Sequence, residues 1–263
     1  MDLNSPPPPG AEPPTASSLA GRMSNIFVAP GEAFTEIKPR PAATGNWLAP
    51  LILSIIVAWI SVGLIYSQDF ARQQMADMQE AAMRKQLQKV GGGRMTEQQI
   101  EQALERGGRI GYLATMIGGF VGAPFAIAGG LFLGGLVLWL LGAKALKGPV
   151  TYMKAVEILG LSSLIATLGN VVRTLLVLVM GNLLVSPSLT LLLKDINPLN
   201  PMFSLLSLVN VFSLWELGVI TLGLAKIAGA SFGRAAAWVF GIWFVAMGGL
   251  TGIGILYTRL FMG

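Results

Sequence analysis

The sequence predicts an all-α fold, a polytopic helical membrane bundle with five transmembrane helices, and three observations predict it. Of 263 residues, 53% are hydrophobic and only 12% charged, where a soluble domain carries about 25% charged residues. Five apolar runs have the length of about twenty residues that a helix needs to cross a bilayer. Within the second run, small residues recur every four positions, a helical spacing.

The elements follow in chain order. Residues 1–24 open with "MDLNSPPPPGAEPPTASSLA", which holds six prolines and no apolar core. This stretch predicts a disordered tail rather than a signal peptide. The folded membrane domain is expected over residues 25–263. At its start, "SNIFVAPGEAFTEIKPRP" places Ile26, Phe27, Phe34 and Ile37 beside Lys38 and Arg40. Pro30 suits a helix start. Two readings stay open: an interfacial element dipping Phe34 and Ile37 into lipid, or a folded unit packed under the bundle.

The spans are expected at about 47–67, 110–141, 155–184, 203–225 and 232–261. The second is long enough to tilt or to kink at Pro124, a re-entrant pair being the alternative. Between the first two spans, residues 68–109 predict an amphipathic helical loop, with Phe70, Met75, Met78, Ala82 and Leu87 at helical spacing. "GGG" at 91–93 should break it. Thr96 with Gln99 forms a capping-box pattern for a second helix, which Gly107 should stop. This loop is either a solvated connector or a docking surface with a Met-rich, adaptable face.

Lys and Arg in the short flanks set the orientation. With the N-terminus cytoplasmic, that side holds Arg22, Lys38, Arg40, Lys144, Lys147, Lys154, Lys226 and Arg234, against Lys194 and Arg259 opposite. The 68–109 loop runs counter to this with seven bases among six acids, and its side stays open.

Inside the membrane, Gly118, Gly122, Ala126, Gly130 and Gly134 form the small-residue stripe. It is expected to pack tightly against a neighbouring helix. Glu216, within "VFSLWELGVI", is the polar residue that most needs explaining, since a charge at a span's centre costs about 2.5–3.5 kcal/mol. Counted from Lys226, it lies about 15 Å deep. Thr167, Asn170 and Arg173 on the third span are its expected partners in an intramembrane polar cluster. A protonated acid acting as interhelical glue and a proton or ion relay are both open. Glu157, beside Lys154, is expected at headgroup level.

Composition narrows the chemistry. The chain has no His and no Cys, which excludes thiol nucleophiles, disulfides, His-based triads and His or Cys metal sites. No cofactor or metal is expected. Asp69 and Asp195 fall outside the spans, and Ser162 and Ser163 have no lysine at matching depth, so no enzyme is expected. The net charge of +5 is spread along the chain, without the basic face that nucleic acid requires.

The succession "NIFVAPGEAFTEIKPRP", "GNWLAPLIL", a charged helical loop, "GPVTYMKAVEILGLSSLI" and "FSLWELGVITLGLAKIAGASFGRAAAWV" resembles the bacterial branch of the Yip/Yif family of five-span membrane proteins. The resemblance covers the chain from Asn25 onward. It implies a non-enzymatic protein of the bacterial cytoplasmic membrane, acting as scaffold or accessory factor through lipids and a protein partner or a second copy. Eukaryotic members bind Rab-type GTPases. Of their "DLYGP"-like stretch, "GNWLAP" keeps only an aromatic and the proline, Trp47 and Pro50, so the resemblance does not carry a GTPase partner over. A transporter or channel subunit using the intramembrane polar residues is the alternative.

Overall fold

A computed structural model describes residues 17–90, 96–193 and 201–261. Among these residues the protein is helical, and five helices are long and apolar enough to cross a membrane: Gly45–Tyr66, Ile110–Ala145, Tyr152–Met180, Val211–Ala228 and Phe232–Gly254. The tail before residue 17 and the glycines at 91–93 lie outside the described residues.

Two short helices come first, α1 (Leu19–Val28) and α2 (Pro30–Ile37). Ser18 caps α1 by accepting from the Gly21 amide, and Pro30 opens α2 at a position where its missing N–H is not needed. Ile26, Ala33, Phe34 and Ile37 are buried in the main core. Of the two readings for this stretch, the packed unit holds: Phe34 is fully buried and lies against Gly223.

The first span, α3 (Gly45–Tyr66), leads into α4 (Asp69–Val90). Helix α5 (Glu97–Ile117) begins at the expected capping box, with the Thr96 side chain accepting from the Gln99 amide and the Gln99 side chain from the Thr96 amide. Gly107 does not end it. The helix runs on through a π-helical turn (Gly118–Gly122) into α6 (Ala123–Leu140) and a second π turn (Leu141–Ala145). Gly107 does not adopt the left-handed backbone of a helix stop, and it lets the Met83 side chain of α4 approach closely.

The third span, α7 (Tyr152–Met180), is the central helix, packed against α3, α6 and the fourth span. It ends at Gly181, whose φ of +61° favours glycine. A 3-10 turn (Leu189–Leu192) and the short α8 (Pro201–Ser207) follow. The fourth span, α9 (Val211–Ala228), therefore starts later than the sequence suggests. Asn210 accepts from the Phe212 and Ser213 amides at 3.0 and 3.3 Å, capping a new helix. Helix α10 (Phe232–Phe261) packs mainly on α9 near its start, through Ala235 and Val239.

Helices α3 and α7 run parallel. Consequently α1, α2, the 146–151 connector and the turn around Gly229 share one side, and the α4–α5 hairpin shares the other with the segment after Gly181. Gln74 of α4 ties that second side together: its amide donates to Gly181 O at 2.7 Å and accepts from Leu183 N at 3.0 Å.

Candidate functional site

Among the described residues, polar side chains meet the apolar spans along a seam and around a cavity. The first is a ladder along the α3–α7 seam. At its base Glu157, fully buried, accepts from Lys154 Nζ at 2.6 Å, from the Asn46 side-chain amide, and from the Ala43 amide at 3.4 Å. Lys154 also donates to Ile37 O at 2.7 Å, which pins the end of α2. Asn46 in turn accepts from Arg22 Nε at 3.0 Å, and Arg22 reaches Glu36 at 3.3 Å. One connected network thus joins α1, α2, α3 and α7. Glu157 is enclosed by protein, and Lys154, Asn46 of α3 and the Ala43 amide supply the donors that offset its desolvation.

Farther along the seam, Ser54 pairs with Thr167 at 2.7 Å, and Asn170 donates to Ser61 at 3.3 Å. Asn46, Ser54 and Ser61 are eight and seven residues apart, two helical turns each, so they line one face of α3. That spacing was present in the sequence as a signal. Between the first two rungs the helices nearly touch, because a Cβ on Gly160 would lie 2.5 Å from Trp47 Cα.

The second region surrounds Glu216. With α9 starting at Val211, Glu216 stands about 7.5 Å from the helix start and about 15 Å from Lys226. It is partly buried and lines a cavity of about 220 Å³ with Ser163, Leu51, Leu159, Ala126, Ile127, Gly130 and Leu131. No hydrogen bond joins Glu216 to Thr167, Asn170 or Arg173, and none to any other described residue. Thr167 and Asn170 face α3, and Arg173 donates outward to Leu183 O at 3.2 Å. The expected cluster is therefore divided: Thr167 and Asn170 belong to the ladder, Arg173 to the α7 end, and Glu216 to the cavity.

Most of the glycine stripe faces open space among the described residues. A Cβ on Gly118, Gly122 or Gly130 would meet nothing within 4 Å, while one on Gly134 would lie 3.1 Å from Leu159. Close helix contact falls one residue aside, at Gly119 against Val62 and Gly135 against Val156. Gly118, Gly122, Ala126 and Gly130 are exposed, the last two forming the cavity's outer wall.

Pro124 is accommodated by the π turn before it. Lacking an N–H, it leaves Phe120 O without its i+4 donor; Trp59 Nε1 of α3 donates to that carbonyl at 2.7 Å.

This fold defines an integral membrane protein with five spanning helices among the described residues. The Yip1 domain family matches residues 24–253, and the chain belongs to that family. It is similar to the membrane protein YknW of Bacillus subtilis, with 26% identity over 223 residues, 84% of this chain and 83% of that protein. No solved structure matches the chain.

Proposed function

We propose that the protein is a non-enzymatic scaffold or accessory factor of the bacterial cytoplasmic membrane, with its N-terminus cytoplasmic, acting through contacts with a partner protein or lipid. The observation that carries this reading is the α4–α5 hairpin. Apart from the last turns of α5, which belong to the second span, it stands outside the span region, anchored by Gln74 to the residues after Gly181. A cleft of about 580 Å³ runs between its helices, lined by Met75, Met83, Leu104 and Tyr112 and rimmed by Arg72, Glu80 and Glu101. Met-rich grooves with charged rims suit an adaptable protein contact. Orientation is supported by the bases Arg22, Lys38, Arg40, Lys147 and Arg234, which share the side of α1 and α2.

The test is extraction of the tagged full chain into native lipid particles, beside a variant lacking residues 69–108. Co-purification of one defined protein, lost with the hairpin while the variant stays monodisperse, supports the scaffold reading. Equal recovery of that protein by the variant removes the hairpin as its docking site. The transporter alternative draws on a separate feature, the Glu216 cavity.

A further inference from the structure

The geometry points to the Glu216–Ser163 cavity as a binding site for a lipophilic ammonium ion, an organic amine carrying a short hydrocarbon body. This goes beyond the scaffold reading and does not rest on it. The polar wall of the cavity offers acceptors. Ser163 Oγ already donates its hydrogen to Gly160 O at 2.7 Å, leaving only lone pairs for an occupant. Glu216 accepts from no described residue, and neither Lys nor Arg lines the cavity. A carboxylate within a membrane span is costly without a cation, and an ammonium N–H is the complementary donor.

The remaining walls select the rest of the ligand. Leu51, Ile127, Leu131 and Leu159 are apolar. An engineered apolar cavity of about 150 Å³ holds benzene, so about 220 Å³ accepts a six-carbon ring with a nitrogen attached. A bare metal cation fits poorly, because hard divalent cations want about six oxygen ligands and only Glu216 and Ser163 present side-chain oxygens here. Access is lateral. Ala126 and Gly130 are exposed, and the space beside Gly130 is open, so an amphiphile can enter from the lipid.

The test uses the full chain in phosphatidylcholine nanodiscs, with cyclohexylammonium chloride, cyclohexanol and sodium chloride as probes and the thermal unfolding midpoint as readout. Cyclohexylammonium is expected to raise the midpoint saturably, with cyclohexanol weaker by about tenfold or more, the loss of one charge-assisted contact. Sodium should give no saturable rise. Glu216→Gln should lose the response, as should Gly130→Leu, which fills the cavity from a position with free space; the second variant decides if the first does not fold. The proposal is overturned if cyclohexanol or sodium acts equally well, if Gly130→Leu responds like the parent chain, or if cyclohexylammonium gives no saturable rise.

Discussion

Lys154 Nζ lies 2.6 Å from Glu157 Oε2, one helical turn away on α7, and both side chains are buried beneath the N-terminal helices. The pair is therefore more than a local i,i+3 contact. It fastens a segment more than a hundred residues earlier in the chain, through Ile37 O and Asn46. Removing Glu157 leaves a buried ammonium with no counter-charge. Glu157→Ala should destabilise the bundle by about 3–5 kcal/mol, the range for breaking a buried ion pair. Denaturant titration in mixed micelles measures it, and a loss under about 1 kcal/mol, the scale of a surface pair, would show that the network does not hold the helices together.

Glu36 gives the same network a pH dependence. Burial pushes its carboxyl up, but hydrogen bonds from Ser17 and Arg22 and the charges of Arg22 and Arg40 outweigh this and hold it below the ordinary carboxylate range. A depressed folded value means that the stabilisation is fully present above the unfolded value, about pH 4.3. It declines below that pH and is lost as pH falls through the folded value. Hydrogen exchange of α1 and α2 should thus be flat from pH 8 to 5, after correction for intrinsic rates, and rise on further acidification. Glu36→Gln should abolish the rise; an unchanged rise would assign it to another group.

Glycines of the bundle divide by what a methyl group would meet. On Gly160 it would strike the Trp47 backbone, whereas on Gly122 it would meet open space. Gly160→Ala should cost about 1–3 kcal/mol through overpacking, and Gly122→Ala nothing. Thermal unfolding of the two variants side by side decides this. Equal costs would mean that the stripe at Gly122 is packed in the membrane against a helix from outside the chain.

Much of this architecture was legible in the sequence, and the boundary of what was legible is physical. The five spans, the capping box at Thr96 and the helix start at Pro30 are local, written within one or two turns. The burial of Glu157 was not legible, because its donors Asn46 and the Ala43 amide come from another part of the chain. Thr167 and Asn170 were visible as polar positions, yet rotation about α7 turns them to Ser54 and Ser61 and away from Glu216. The four-residue spacing of small residues identified a face, but spacing alone does not say which helix, if any, covers it. Asn210 shows the converse: an N-cap inside an apolar run outweighed the hydropathy that suggested one helix from Phe203.

Trp59 and Pro124 supply a sharper test, because one residue answers a defect created by the other. Phe120 O has lost its i+4 donor to Pro124, and the indole of Trp59 takes that place at 2.7 Å. In hydrocarbon no water can substitute, so the bond carries more weight than its position on the outer face suggests. Trp59→Phe keeps most of the apolar bulk and removes the donor; it should cost about 1–3 kcal/mol, the penalty of an unpaired carbonyl. Pro124→Ala restores an N–H to the helix. In that background Trp59→Phe should cost little, giving a coupling of about 1 kcal/mol or more between residues that do not bond to each other. Additive losses in the double-mutant cycle would mean that Trp59 stabilises α3 against the second span by packing alone.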